Sequence, residues 1–377
     1  MRSTTKRGVI AAAVLSTVLL SAACAPPDDE EVAADAPKAA TATSAEALGG
    51  MEALVTAAKA EGELNVIALP PDWANYGEVI KAFTAKYGIK VNSAQPDASS
   101  QDEINAANQL KGQSKAPDVF DLGQAVATAN TAMFAPYKVS TWGDVPDALK
   151  EPTGLYVNDY GGYMSIGYDA SKVPAPTTVQ DLLKPAYKGA VALNGDPTQA
   201  GAAFSGVAMA ALGTGGSADD IKTGVDFFAQ LKKAGNFLPV DPTPATIASG
   251  QTPVVIDWDY LNVGQAKSLT GDVDWKTVVP EGAVVGGYYA QAINKDAPHP
   301  AAARLWQEFL YSDEGQNLWL KGGARPVRQD AMDEAGTIDQ AAFTALPPVT
   351  GDPVFLTQEQ SDTAKEYLTA NWRKAIG

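Results

Sequence analysis

Two aspartates, Asp257 and Asp259, straddle Trp258 and precede Tyr260 in the run PVVIDWDYLNVG. Carboxylates are seldom buried without a partner. The apolar, β-branched residues ahead of them have the composition of a buried strand. In an extended chain, residues two apart share a face. Asp257 and Asp259 then point one way, and Trp258 and Tyr260 the other. Carboxylates beside ring faces suit an ammonium group, which takes charge-assisted hydrogen bonds at its head and aromatic contact along its methylenes. The competing reading is structural: one of the two aspartates caps a helix that starts at Tyr260. Both cannot be caps, so at least one carboxylate is expected to face a cleft or a partner in it.

Residues of the same types follow other strand-like runs. Asp72, Trp73 and Tyr76 lie in PPDWANY after ELNVIAL, Asp121 lies near the end of APDVFDL, and Tyr288 and Tyr289 stand in GAVVGGYYAQAIN. In open α/β sheets, ligands bind beyond the carboxyl ends of the strands. All of these are therefore candidate contacts, although many such aromatics serve only as core or hinge packing. Trp306 and Trp319 are expected in the core. Thr198 and Gln199, in NGDPTQAGAAF, stand where a helix N-terminus offers free N–H groups to phosphate or carboxylate. Self-capping by Asp196 or Thr198 is the plainer account of that stretch.

Paired carboxylates also serve glycosidases, but those acids come from separate strand ends and not from positions two apart. No P-loop, Ser-His-Asp order or Cys/His metal cluster is present. A cell-surface glycoside hydrolase is the distant alternative to a binding protein, and neither cofactor nor resident metal is expected.

The elements that position these residues alternate. MEALVTAAKAEG reads as a helix with Met51, Leu54, Val55 and Ala58 on one face and Gly62 as its stop. ELNVIAL, IKVNSA and APDVFDLG read as strands, separated by the helices YGEVIKAFTAKYG and SSQDEINAANQLKG. Short apolar strands alternating with helices mean a parallel, doubly wound sheet. GGYMSIGYDAS then reads as an extended run leading into a second unit built from YKGAVALNG, DPTQAGAAFSGVAMAALG, GVDFFAQLKKAG and TPVVIDWDY. GAVVGGYYAQAIN is a second extended run leading back. HPAAARLWQEFLYSDEGQ and SDTAKEYLTANWRKA are helices near the end. His299, the only histidine, falls at what looks like the start of a surface helix.

This ordering resembles the extracellular solute-binding proteins of bacterial ABC importers. The closest cluster includes binders of polyamines, ferric iron, thiamine and aminoethylphosphonate. The resemblance is carried by AKAEGELNVIALPPDWANYGEVIKAFTAKYGIKV, PDVFDLGQA, LLKPAYKGAVALNGDP, NKDAPHPAAARLWQEFLYSDEGQ and GGARPVR. It implies a periplasmic-binding-protein-like type II fold, with two doubly wound α/β lobes joined by two extended crossovers and the ligand between them. The lobes are expected at 51–165 with 286–377, and at 166–285. It also implies a monomer that delivers a small solute to ABC permease subunits. The ferric-iron members carry two adjacent metal-binding tyrosines where this chain has Asp259 and Tyr260. Their acidic ligand falls near Gly123, and their histidine has no counterpart near Trp73. A cationic or zwitterionic, polyamine-like solute is therefore expected ahead of iron, with aminoethylphosphonate and thiamine as alternatives.

The N-terminus bears on location. Arg2, Lys6 and Arg7 precede the apolar run VIAAAVLSTVLL, which is short for a membrane span. LLSAAC looks like a lipobox, which implies cleavage before Cys24, the only cysteine, and a lipid on its thiol. Residues 1–23 are thus a signal peptide. Residues 24–50 are expected to be the lipidated cysteine and a disordered tether, poor in large apolar residues. The mature chain then sits at the outer face of the cell membrane. Without the first 23 residues, 25 basic residues stand against 44 acidic ones, a formal charge of −19. That balance repels nucleic acid and anionic lipid and attracts cations.

Overall fold

The computed structural model describes residues 38–269 and 273–377. The expected signal peptide, Cys24 and the first part of the tether lie outside the described residues.

The first lobe opens with α1 (Met51–Glu61), in which Leu54 and Ala58 are buried while Met51 stays exposed. Gly62 ends it in the left-handed conformation that favours glycine. β1 (Glu63–Ile67), α2 (Tyr76–Tyr87) and β2 (Lys90–Ala94) follow. α3 (Ser100–Gln109) starts from a capping box between Ser99 and Asp102. β3 (Val119–Gly123), α4 (Gln124–Ala129) and β4 (Phe134–Ala135) come next. β5 (Val157–Asp169) then runs into the second lobe, built from β6 (Val191–Leu193), α5 (Gly201–Gly213), α6 (Ile221–Ala234), β7 (Val254–Trp258), α7 (Asp259–Ser268) and β8 (Trp275–Val278). β9 (Gly286–Asn294) returns to α8 (Pro300–Leu310), α9 (Asp313–Gly322) and β10 (Arg325–Pro326), and α10 (Gln358–Ile376) ends the chain.

The two crossovers are β5 and β9, as the extended runs imply. The sheet itself is mixed, not parallel throughout. β1 pairs with β2, and β6 with β7, in parallel. β5 and β9 run in opposite directions and join as antiparallel strands, to each other and to β3, β7 and β8. Alternation of helices and strands predicts the parallel pairs. It is blind to a long strand that leaves one lobe and pairs again in the next.

Three expectations change. The tether is shorter than residues 24–50, because 38–50 pack on the first lobe. Ala39 and Ala45 are fully buried. Arg304 donates from Nε to the Ala42 carbonyl (2.8 Å) and from Nη2 to that of Ala40 (2.9 Å). That cover, with Phe83 of α2 against Trp306 and Phe309, leaves every residue of α8 buried. His299 at its start is buried too, with Nδ1 2.9 Å from Asp118 Oδ2. Lastly, α10 does not belong with the first lobe. Trp372 packs edge-on against Phe228 of α6, with centroids 5.3 Å apart. The chain therefore crosses between lobes a third time, and Val354 bridges to Val285 on the way.

Candidate functional site

Asp257 is the penultimate residue of β7 and 7% exposed. Its Oδ2 accepts a hydrogen bond from Asn194 Nδ2 (2.8 Å), and its Oδ1 accepts from the Trp258 amide (2.8 Å). Ser165 Oγ on β5 donates to its carbonyl (2.8 Å). All three partners are neutral. Burial pushes the carboxyl up to about 7, against the pull of these hydrogen bonds.

Asp259 lies two residues on, fully buried as the first residue of α7. Its Oδ1 accepts from the Tyr163 and Tyr260 amides (3.0 and 2.9 Å), and its Oδ2 pairs with Arg325 Nη2 on β10 at 3.2 Å. Burial raises it to about 6, opposed by the Arg325 guanidinium. Gly162 on β5 makes room for this carboxylate, since a Cβ there would stand 2.2 Å from Asp259 Oδ1. The expectation that Asp259 awaits a ligand is therefore corrected: it has its cation, supplied by the first lobe across the hinge. Tyr260 is not the first helical residue either.

On the first lobe a chain of hydrogen bonds leads inward from Trp73. Its Nε1 donates to Tyr160 OH (2.8 Å), and Tyr160 OH donates to Asp121 Oδ2 (3.0 Å). Gln291 Nε2 bridges Asp121 Oδ1 (3.0 Å) and Tyr76 OH (2.9 Å). Glu103 Oε2 accepts from the Asp121 amide (3.0 Å). Asp121 is pushed up to about 7 by burial, and Asp159 and Glu103 are held well above the usual carboxylate range by burial first and Asp121 second.

Rings from both lobes and both crossovers close over these acids. Trp73 meets Tyr260 and Tyr289 edge-on, with centroids 5.9 and 5.7 Å apart. Tyr160 stacks on Tyr289 at 5.5 Å, and Trp258 lies parallel to Tyr260 at 6.2 Å. Trp258 also fills the space over Gly287, where a Cβ would come within 2.6 Å of its ring. Tyr260 OH and Trp258 Nε1 are buried without hydrogen-bond partners.

The structure thus gathers Trp73, Asp121, Asp257, Trp258, Tyr260 and Tyr289 around one region. It leaves out others. Asp72 is exposed on the loop after β1. Tyr76 is core, edge-on to Trp319 at 4.7 Å. Tyr288 points to the opposite side of β9, toward Phe355. Thr198 gives both its amide and its hydroxyl to Asp196 Oδ1 (2.8 and 2.7 Å), and Gln199 is exposed. α5 begins only at Gly201, because the turn built on Asp196 occupies the residues before it. Tyr160, Gln291, Asn194 and Arg325 were missed as site residues. Gln291 lies within the run GAVVGGYYAQAIN and Tyr160 just ahead of GGYMSIGYDAS, but nothing local marks any of the four. A surface hollow of about 340 Å³ between α6 and α10, lined in part by Asp219, Lys222 and Tyr367, holds none of these residues.

Comparison with known proteins agrees with this architecture. Residues 116–347 match the family model of bacterial extracellular solute-binding proteins. Iron-bound HitA from Pseudomonas aeruginosa is 19% identical, with 83% of this chain and 99% of that chain covered and a TM-score of 0.62. AfuA from Actinobacillus pleuropneumoniae, with fructose-6-phosphate bound, is 17% identical over 83% and 98%, at 0.63. The spermidine/putrescine ABC transporter substrate-binding protein PotD from Streptococcus pneumoniae is 14% identical over 84% and 99%, at 0.60. At such identities the likeness shows the fold alone.

Proposed function

The chain belongs to the bacterial extracellular solute-binding proteins, and from that premise we propose that it captures a small cationic, polyamine-like solute between its lobes and hands it to an ABC permease. One observation carries the reading: Asp121 and Asp257 are buried on opposite lobes with only neutral partners, beside the rings of Trp73, Tyr260 and Tyr289. Ammonium groups would supply the charge these carboxyls lack, and the rings would lie along the methylenes. The role is read as binding rather than catalysis, in keeping with the family to which the chain belongs.

The competing ligands find less support. A phosphonate would need the amides around Thr198, and those of Thr198, Gln199 and Ala200 are all donated to Asp196. Ferric iron would need several converging anionic ligands. Where the ferric-iron members carry the first of two adjacent metal-binding tyrosines this chain has Asp259, and that carboxylate is tied to Arg325. The lobes are read as 51–165 with most of the stretch from 286, and 166–285 with α10 packed on it.

Calorimetry with putrescine, spermidine and aminoethylphosphonate tests the ligand class. Either polyamine should bind, and binding of none of the three at millimolar concentration removes the amine reading. The family's members work outside the cytoplasm, and no helix among the described residues is long and apolar enough to cross a membrane. A diacylglyceryl group on Cys24 would hold the monomer at the outer face of the membrane. Cys24→Ala should then move the protein from the membrane fraction to the soluble fraction.

A further inference from the structure

Asp121 and Asp257 face an electrostatic problem that the buried Asp118 and Asp259 do not. Asp259 has Arg325 and Asp118 has His299. Asp121 and Asp257 are 6% and 7% exposed and form no ion pair among the described residues. The groups facing Asp121 are Tyr76 from α2, Glu103 from α3, Asp159 and Tyr160 from β5, and Tyr289 and Gln291 from β9. Those facing Asp257 are Asn194 after β6, Ser165 from β5, Tyr260 from α7 and Tyr289 from β9. None is a cation, and two of the neighbours of Asp121 are further acids. A carboxyl in such a setting neutralises itself by holding a proton. Burial accordingly places both groups near neutrality.

The two acids also flank the same rings. Tyr260 and Tyr289 each lie within electrostatic reach of both Asp121 and Asp257. Tyr260 OH and Trp258 Nε1, buried beside them, have no protein partner to saturate them. A solute lying along those rings can therefore reach both carboxyls, one on each lobe.

We propose that the ligand-free protein carries a proton on each of Asp121 and Asp257, and that a dicationic solute enters by exchanging its two ammonium charges for these two protons. The inference rests on the cationic-solute reading above. In the exchange each carboxylic O–H breaks, its proton passes to solvent buffer, and an ammonium N–H donates to the carboxylate left behind. The charge of the filled cleft then equals that of the empty one. Glu103 and Asp159 are likewise held well above the usual carboxylate range by burial and by Asp121. Affinity must rise with pH up to neutrality, by about tenfold per pH unit for each proton displaced, because protons compete with the ligand below the carboxyl pKa.

Two measurements on the full chain test this. Infrared difference spectra of the ligand-free protein, between mildly acidic and mildly alkaline pH, should show protonated-carboxyl bands lost near neutrality. Asp121→Asn and Asp257→Asn should each remove part of that signal. If no such band titrates in the wild-type protein, the inference is overturned whatever the ligand proves to be. Calorimetry of putrescine at about pH 6, in buffers of different ionisation enthalpy, should report about two protons released per ligand bound. Clear binding with no proton release overturns the exchange and leaves the cationic-solute reading standing. If putrescine and spermidine both fail to bind while the bands titrate as expected, the cationic-solute reading falls and the exchange falls with it. The wild-type experiments need neither variant to fold.

Discussion

Asp257 and Asp259 are two residues apart, both aspartates and both buried, yet their surroundings oppose each other. Asp257 is the penultimate residue of a strand of the second lobe and receives only neutral donors. Asp259 opens the next helix and reaches back to β5 and β10, where Tyr163 and Arg325 hold it. One is a carboxyl lacking a counter-charge. The other is half of an ion pair that ties the second lobe to the first at the hinge. Burying a charge is costly unless it is paired. The same residue type at the same depth therefore becomes either a carboxyl without a counter-charge or a fastening, according to what the fold places opposite. Asp121 repeats the Asp257 pattern on the far wall.

The largest effect should come from breaking the fastening. Arg325→Met leaves Asp259 buried without its cation and should lower stability by about 3–5 kcal/mol, read by urea unfolding at mildly alkaline pH. Asp259→Leu together with Arg325→Met should recover most of that loss. If the single variant unfolds like the wild type, the pair does not hold the hinge. Next comes Asp257→Asn, which keeps shape and removes charge. One charge-assisted contact contributes about 1.5–3 kcal/mol, so putrescine or spermidine should bind roughly 10- to 150-fold more weakly, with stability at neutral pH kept or raised. Asp259→Asn should show the reverse, losing stability through the orphaned Arg325. Equal affinity losses in both variants would erase the contrast between them.

A third expectation concerns pH. Asp121 and Asp257 sit near 7 when folded, above the ordinary aspartate value of about 3.9 in the unfolded chain. Between those values the folded state binds more protons than the unfolded state. Their contribution is therefore present at low pH and lost as pH rises through about 4 to 7, by up to about 1.4 kcal/mol per unit for each carboxyl. Thermal melts of the ligand-free protein over that range should show Asp257→Asn flattening the slope. The smallest effect belongs to Trp73→Phe, which loses the hydrogen bond to Tyr160. It should cost about 0.5–1.5 kcal/mol, seen as a modest drop in affinity or melting temperature.

Much of this molecule is written locally. Gly62, Gly88 and Gly235 end their helices as left-handed caps, and the Ser99 capping box starts another. The apolar runs of β1, β3 and β7 are buried strands, and the two crossovers are legible as long extended stretches. Local pattern also brings Trp258 and Tyr260 to one side of the chain, where they do lie parallel. All of these depend on residues within a turn or two of each other, which is the range over which side-chain periodicity and capping act.

What sequence could not decide is which partner arrives from elsewhere in the chain. Arg325 reaches Asp259 from 66 residues away, and Gln291 reaches Asp121 from 170. Residues 38–50 look like tether by composition, yet they cover α8 because Arg304 binds their carbonyls. α10 has the same amphipathic pattern whichever lobe it packs on, and only tertiary contacts such as Phe228–Trp372 and Gln360–Asp219 assign it to the second. Residue types alone picked out acids and rings after the strands as candidates for holding a small solute. Which acid has a cation and which lacks one is a property of the tertiary structure, because pairing is set by distance in space and local pattern carries no record of it.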